Sequence, residues 1–293
     1  MTSAVAARDA VFEEHRQLLF GVAYRMLGTI AEAEDAVQDA YLRFRAHEGA
    51  VHNPRSFLVT VVTRLCLDQL KSARATREQY IGPWLPEPLV LRAGAGPSPE
   101  DTVTGHESVS FAFLVMLEEL GPVERAVFLL REVFDYDYGD IAQVVQKSEA
   151  ACRQVFHRAR QRLAERQHRH TASYSQRLAL TARFLQAVTE GDMAGLLELL
   201  SADVVAYSDG GGKAAAAINP IFGADRVARF TVGVARKLPA GPVEAVDVNG
   251  DPGVLLCTKS GRIDTLLLLD VDEQGAVRTI YAVRNPDKLA RVR

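Results

Sequence analysis

The sequence predicts a multi-domain chain in which two all-α domains, the second carrying a helix-turn-helix, precede an α+β domain with an antiparallel sheet. Three stretches carry that prediction. Tyr138 to Arg166 reads as a helix, a tight turn and a second, strongly basic helix. Ser56 to about Glu78 reads as a separate basic helix whose first half is apolar. From residue 243 onward, short apolar runs broken at Asn249-Gly250-Asp251, at Ser260-Gly261 and between Asp272 and Gly275 read as four strands. Helices followed by a meandering sheet make an α+β domain.

A length of 293 residues allows two or more domains, each with its own core. No apolar run approaches the roughly 18 residues of a membrane span, and the N-terminus lacks the basic, apolar and small-residue order of a signal peptide. The expectation is a cytoplasmic protein with no membrane partner. Cys66, Cys152 and Cys257 are odd in number and far apart, which suggests neither a disulfide framework nor a cysteine zinc site. The formal net charge of −3 argues against indiscriminate nucleic-acid binding but leaves room for local basic patches.

Taken in order, Phe12 to about Leu27 is an apolar-rich helix, and Ile30 to Arg45 is another. Acidic Glu32, Glu34, Asp35 and Asp39 precede Arg43 and Arg45 in the second, an order that suits the helix dipole. Val37, Tyr41 and Phe44 face a core, leaving Glu34, Asp35 and Gln38 outside; on composition that acidic edge is a solvated face. Basic residues Arg64, Lys71, Arg74 and Arg77 dominate the next helix, opposed by Asp68 and Glu78. Tyr80 to Val103 is rich in Pro and Gly and cannot hold a long helix, so it reads as a linker. Trp84, the sole tryptophan, lies in the stiff cluster Trp84-Leu85-Pro86-Glu87-Pro88, which suits docking more than free solvation.

An apolar helix from Pro122 to Val133 leads into the helix-turn-helix. Asp137 can cap its first helix, where Ile141, Val144 and Val145 form the buried stripe, and Ser148 can cap the second after a turn at Gln146-Lys147-Ser148. Ala151, Cys152, Val155, Ala159 and Leu163 share one arc of that second helix; Glu149, Ala150, Arg153, Gln154, His157 and Arg160 lie on the other side. Such a helix enters a DNA major groove with its N-terminal side chains on base edges. Arg153 suits guanine and Gln154 adenine, whereas Arg158, Arg160 and Arg162 suit phosphates. A basic surface helix of no special function has the same composition; the spacing of cap, turn and cap favours DNA.

Beyond residue 174 the pattern is a helix to about Thr189, a helix over Met193 to Leu200, a strand at Val204 to Tyr207, the loop Asp209-Gly210-Gly211-Gly212-Lys213 and a helix from Ala224 to about Lys237, before the four strands. The glycine run has no GxxxxGK spacing and so is no phosphate loop. Asp209 in that loop suggests a turn or backbone-capping role.

The segments AEDAVQDAYLRF, NPRSFLVTVVTRLCLDQLKSARATRE and GPVERAVFLLREVFDYDYGDIAQVVQKSEAACRQVFHRARQRL, in that order over residues 9 to 168, resemble the extracytoplasmic-function sigma factors of bacterial RNA polymerase. WLPEP at 84 to 88, DGGGK at 209 to 213 and NPDKL at 285 to 289 resemble the signatures of the subgroup with a fused C-terminal SnoaL-like domain, a cone in which a curved antiparallel sheet wraps a pocket. The resemblance implies residues 1–79 as region 2, 80–106 as linker, 107–168 as region 4 and 174–293 as the SnoaL-like domain. It implies core polymerase docking through Asp35, Gln38 and Asp39, minus-ten contacts from Arg64, Lys71, Arg74 and Arg77, and minus-35 contacts from Glu149, Ala150, Arg153, Gln154, His157, Arg158, Arg160 and Arg162. Phe57 stands where the family often has Trp. Regulatory contacts would fall on Trp84, Leu85, Pro86, Glu87 and Pro88, on Asp209, Gly210, Gly211, Gly212 and Lys213, and on Asn285, Pro286, Asp287, Lys288 and Leu289.

The partners expected are core RNA polymerase, promoter DNA and a small-molecule or protein regulator of the last domain. That domain has no histidine after His170, no metal-ligand cluster and no nucleophile motif, so a regulatory role without catalysis, cofactor or metal is expected. The rival readings are a one-component effector-binding regulator, which has no use for the acidic helix, and a DNA-tethered SnoaL-like enzyme.

Overall fold

Local signals in the chain account for most helix ends. In the computed structural model, residues 2–77, 80–92, 110–164, 172–237 and 241–292 are described, and they fall into two compact units. The first holds 2–77 and 113–164; the second holds 80–92, 110–112, 172–237 and 241–292.

In the first unit, α1 (Thr2–Leu27), α2 (Ile30–Ala46) and α3 (Pro54–Arg77) form a bundle. Gly28, at φ +77°, reverses the chain after α1, a conformation that costs glycine little. Asn53 accepts from Ser56 N at 3.0 Å, and Pro54 follows as the first helical residue, so α3 starts on a side-chain cap. Ala33, Ala36 and Ala40 are buried on α2 beside Val37 and Phe44, and such small residues let the helices approach closely.

The second helical group comprises α4 (Phe111–Leu117), α5 (Pro122–Phe128), α6 (Tyr138–Val145) and α7 (Glu149–Ala164). The helix expected to run to Val133 is α-helical only to Phe128 and continues as a π turn over Leu129–Val133. Phe134 N donates to Leu129 O at 3.1 Å, the wide i to i−5 closure that defines the turn. Gln146 takes the left-handed conformation at φ +55°, and Ser148 Oγ accepts from Ala151 N at 3.2 Å, as the turn and second cap require. Asp137 does not cap α6 through its side chain, which lies instead 3.8 Å from Arg131. Cys152, Val155, Ala159 and Leu163 are buried, while Ala151 is half-buried.

In the second unit, α8 (Tyr174–Glu190) begins on a reciprocal Ser173 and Gln176 capping box and ends at Gly191, φ +70°. There follow α9 (Met193–Leu199), β2 (Leu200–Asp209), β3 (Ile221–Phe222), α10 (Ala224–Ala235), β4 (Val243–Val248), β5 (Asp251–Cys257), β6 (Ile263–Val271), β7 (Val277–Val283) and α11 (Pro286–Leu289). Phe184, Leu196, Val227, Leu267, Leu269 and Ile280 belong to one core that joins helices to sheet.

The expected meander is present, since β4, β5, β6 and β7 pair antiparallel in sequence order. The sheet as a whole is mixed rather than antiparallel, because β2 lies parallel to β7 with Tyr207 opposite Tyr281. Strand β2 is also longer than the four residues expected and carries Asp209 as its last residue. Linker residues Val90–Leu91 form β1, antiparallel to β4, giving the order β1-β4-β5-β6-β7-β2-β3. Leu266 and Leu268 are buried as well as Leu267 and Leu269, so both faces of β6 are covered and its apolar run has no polar alternation.

Candidate functional site

The basic face of the helix-turn-helix is open. Glu149, Ala150, Arg153, Gln154, His157, Arg158, Arg160 and Arg162 are all exposed on α7. Arg153 is held by Glu149 at 2.8 Å and lies 5.0 Å from the Tyr138 ring centre, so its guanidinium is oriented while remaining at the surface. Arg162 is tied back to α5, with Nη1 3.0 Å from Glu124 Oε2; an exposed pair of this kind is worth at most about 1 kcal/mol and yields readily to a phosphate.

On α3, Lys71 is exposed and pairs with Asp68 at 3.1 Å. Arg64 is exposed, but its guanidinium donates to Gln143 O at 2.7 Å and Val144 O at 3.2 Å. Arg74 and Arg77 lie on the described backbone of α3, and their side chains fall outside the described residues. Phe57 packs, with its ring centre 5.9 Å from Phe44 and 4.9 Å from His47.

Asp35, Gln38 and Asp39 are exposed on α2. Asp35 and Gln38 line a groove of about 870 Å³ together with Glu13, Glu14 and Gln17 of α1, over a floor that includes Phe12 and Val37. The α1 wall was not expected from sequence, where Glu13 and Glu14 look like ordinary solvated acids. Asp39 does not line it.

The densest polar cluster is in the second unit. Asp209 is wholly buried, and its carboxylate accepts from Tyr80 Oη at 2.5 Å, Leu85 N at 2.9 Å and Lys288 Nζ at 2.7 Å. Lys288, 6% exposed, also donates to Leu85 O, and its ammonium lies 4.1 Å from the Trp84 ring and 5.1 Å from the Tyr80 ring. Asn285 Nδ2 donates to Tyr80 Oη at 2.9 Å, and Arg284 N and Asn285 N both donate to Asp209 O. Burial first, and the Asp209 carboxylate second, push the Tyr80 hydroxyl well above the ordinary phenol value, which keeps its proton available for donation.

The three motifs therefore meet, in a geometry partly different from the expected one. Asp209 is no local turn capper: its side chain reaches across to the linker. Lys288 is buried in α11, whose cap Asn285 accepts from Asp287 N at 3.0 Å; Pro286 and Asp287 are exposed, and Asp287 pairs with Lys213. Leu85, Pro86, Glu87, Pro88 and Leu289 are buried, whereas Trp84 is half-buried and covers the ammonium. Glu87 lies 3.9 Å from Arg291. Gly210 abuts the Ala214 carbonyl, Gly211 (φ +57°) abuts the Asn285 amide, and Gly212 (φ +70°) faces Ile81, so a Cβ at Gly211 is excluded by both space and backbone conformation.

Two contributors were missed by the sequence reading. Tyr80 flanks the linker motif without belonging to it, and Asn249, at φ +55°, exchanges hydrogen bonds with Leu89 through Oδ1 at 3.1 Å and N at 2.9 Å. Asn249-Gly250 was legible as a turn, and nothing in the sequence marks it as a receptor for the linker.

Residues 11–76 match the Sigma-70 region 2 family and residues 110–163 match Sigma-70 region 4. The ECF RNA polymerase sigma factor SigJ of Mycobacterium tuberculosis is 36% identical over 290 residues, covering 94% of this chain and 91% of that protein. This chain belongs to the ECF RNA polymerase sigma factors. The probable ECF sigma factor SigI of the same species is 35% identical over 288 residues, covering 97% and 96%. The crystal structure of M. tuberculosis SigJ superposes with a TM-score of 0.77 at 35% identity over 95% of this chain and 97% of that one, and it shares the helical domains and the mixed-sheet C-terminal domain of the SnoaL-like kind. As a sigma factor the protein binds core RNA polymerase and directs it to specific promoters, which decides against the one-component reading. Sigma factors are not an enzyme class. Among the described residues no helix is long and apolar enough to cross a membrane.

Replacing Asp209 by Ala would strand the Lys288 ammonium and the Leu85 amide. Breaking a buried pair by removing one partner costs about 3–5 kcal/mol, so Asp209→Ala should lower the stability of the second unit by that order in urea titration. Amides of residues 80 to 90 should lose hydrogen-exchange protection beyond any loss in the core strands.

Proposed function

We propose that this sigma factor reads its promoters at two places and that its own C-terminal domain sets its activity by holding the linker between the two readers. The supporting observation is the burial of Leu85 to Pro88 against a clasp of Asp209, Lys288 and Asn285. A linker so held has a defined length and direction. One released from the clasp is a flexible Pro- and Gly-rich tether, and the two states space residues 1–79 and 107–168 differently. The C-terminal domain, 174–293, acts by binding and without catalysis, in the cytoplasm, and a small-molecule or protein regulator that competes for the clasp would change promoter output.

In this reading Arg153 and Gln154 contact bases of the minus-35 element, with Glu149, Ala150 and His157 beside them and Arg158, Arg160 and Arg162 on phosphates. Arg64, Lys71, Arg74 and Arg77 serve the minus-ten element, and Asp35, Gln38 and Asp39 meet core polymerase. Glu13, Glu14, Arg16 and Gln17 of α1, which line the same groove as Asp35 and Gln38, would extend that contact surface.

The minus-35 assignment predicts that Arg153→Ala weakens binding by about 1–3 kcal/mol and relaxes preference at one base pair, while Arg162→Ala weakens all sequences evenly. Binding of the full chain to a panel of single-base promoter variants measures this, and equal losses across the panel for both substitutions would remove Arg153 as a base reader.

For the polymerase surface, changing Asp35 and Asp39 together to Arg should abolish pull-down of core polymerase without altering duplex binding by α7. Undiminished association would return that edge to a solvated face.

The test of the C-terminal domain is run-off transcription with core polymerase, comparing the full chain with residues 1–173. Truncation should change promoter output while minus-35 binding persists, and Trp84→Ala should reproduce part of the change. Identical output from all three proteins would leave the clasp without a regulatory role.

A further inference from the structure

Glu149 is the only acidic residue of α7, and it stands in the first turn, the part of a recognition helix that meets base edges. Close to a polyanion, a carboxylate there is repelled by phosphates and loses hydration unless it meets a donor. The helix dipole favours an acid in that turn, and would do so wherever the side chain pointed. This one is turned along the helix onto Arg153, with Nη2 2.8 Å from Oε2, while both side chains stay more than half exposed.

A second contact fixes the same guanidinium. Its carbon lies 5.0 Å from the Tyr138 ring centre, and Tyr138 is set edge-on against Phe156 at 6.2 Å. The Phe156 ring in turn stacks on buried Phe128 at 6.0 Å. An aromatic chain thus ties the Arg153 head to the core of the helix-turn-helix, and the carboxylate travels with it.

We propose that Arg153 and Glu149 read DNA as one unit, Arg153 taking a guanine and Glu149 requiring an amino-bearing base, cytosine or adenine, on one strand of the adjacent pair. This deepens, and rests on, the assignment of Arg153 to a guanine of the minus-35 element. Residues four apart on a helix have Cβ atoms about 5–6 Å apart, more than one base step of about 3.4 Å, so the two stand over neighbouring pairs. Guanine offers acceptors, N7 and O6, to Arg153. A carboxylate only accepts, so Glu149 is satisfied by cytosine N4 or adenine N6 and repelled by guanine O6 or thymine O4. Every base pair carries one amino and one keto edge in the major groove; Glu149 therefore selects the orientation of the adjacent pair, and acts chiefly by rejecting the wrong one.

The test uses the full chain bound to core polymerase and a promoter found by run-off selection. All four base pairs are placed in turn at the position where Arg153→Ala relaxes preference and at its two neighbours. With the unsubstituted chain, one neighbour should favour adenine and cytosine together over guanine and thymine on one strand, by about tenfold. Glu149→Gln, whose amide both donates and accepts, should bring those four pairs close to equal while leaving the preference for guanine, and should raise affinity for non-specific duplex because a negative charge is gone. The double substitution with Arg153→Ala should lose less selectivity than the product of the two separate losses, since the side chains share a hydrogen bond.

If Arg153→Ala relaxes one position and Glu149→Gln alters only non-specific affinity, Glu149 is a helix-end charge and the unit is overturned while Arg153 stands as a reader. Strictly multiplicative losses would make the two residues independent readers and overturn the unit as well. Equal losses across the panel for Arg153→Ala would remove Arg153 as a base reader and the unit with it.

Discussion

The carboxylate of Asp209 is the constraint on which the second unit depends. A wholly buried anion is tolerated only when a cation and several donors surround it, and here the donors come from Tyr80, Leu85 and Lys288. They belong to the linker and to α11, segments separated from Asp209 by more than seventy residues on either side. Strand β2 can end as it does only while these segments are in place. The glycines after Asp209 serve the same arrangement, because Asn285 occupies the space that a side chain at Gly211 would fill. The charge requirement at one atom group thus ties down the linker, the end of the sheet and the last helix.

The recognition surfaces follow the opposite logic. The charges named above on α7, and Asp35 and Asp39 on α2, are exposed; where an ion pair holds one, as for Arg153 and Arg162, it is a surface pair that contributes little to folding. Arg153 illustrates the balance. Glu149 and Tyr138 orient its guanidinium without burying it, which lowers the entropy lost when it meets a base edge. Arg64 departs from this pattern because its guanidinium donates to two backbone carbonyls at the end of α6, where helix carbonyls lack an intrahelical donor.

Local chemistry explains which features were legible. Ser148, the reversal at Gln146 and the spacing of Cys152, Val155, Ala159 and Leu163 specify the second helix of the helix-turn-helix from side chains within a few residues of one another. The meander over β4 to β7 was legible for the same reason, since its turns at Asn249-Gly250 and Ser260-Gly261 are local. Asp137 misled because a cap position does not compel a cap: a side chain at the surface is solvated equally well beside Arg131. The parallel pairing of β2 with β7 joins segments that share no turn, so no neighbouring residue signals it. Tyr80 and Asn249 look like common loop residues, and only the groups brought opposite them give them roles.

The sequence by itself determined the succession of two helical domains and an α+β domain, the exposed basic face of α7, the acidic edge of α2 and the three stiff motifs around the C-terminal domain. These depend on periodicity, capping and turn chemistry, which act over a few residues. Only the tertiary structure decided that the three motifs share one buried carboxylate, that the linker contributes a strand to the sheet, and that Arg64 spans to α6. A buried charge and an unpaired carbonyl take whichever partner lies within about 3 Å, and for partners eighty to two hundred residues away the folded chain alone sets that distance.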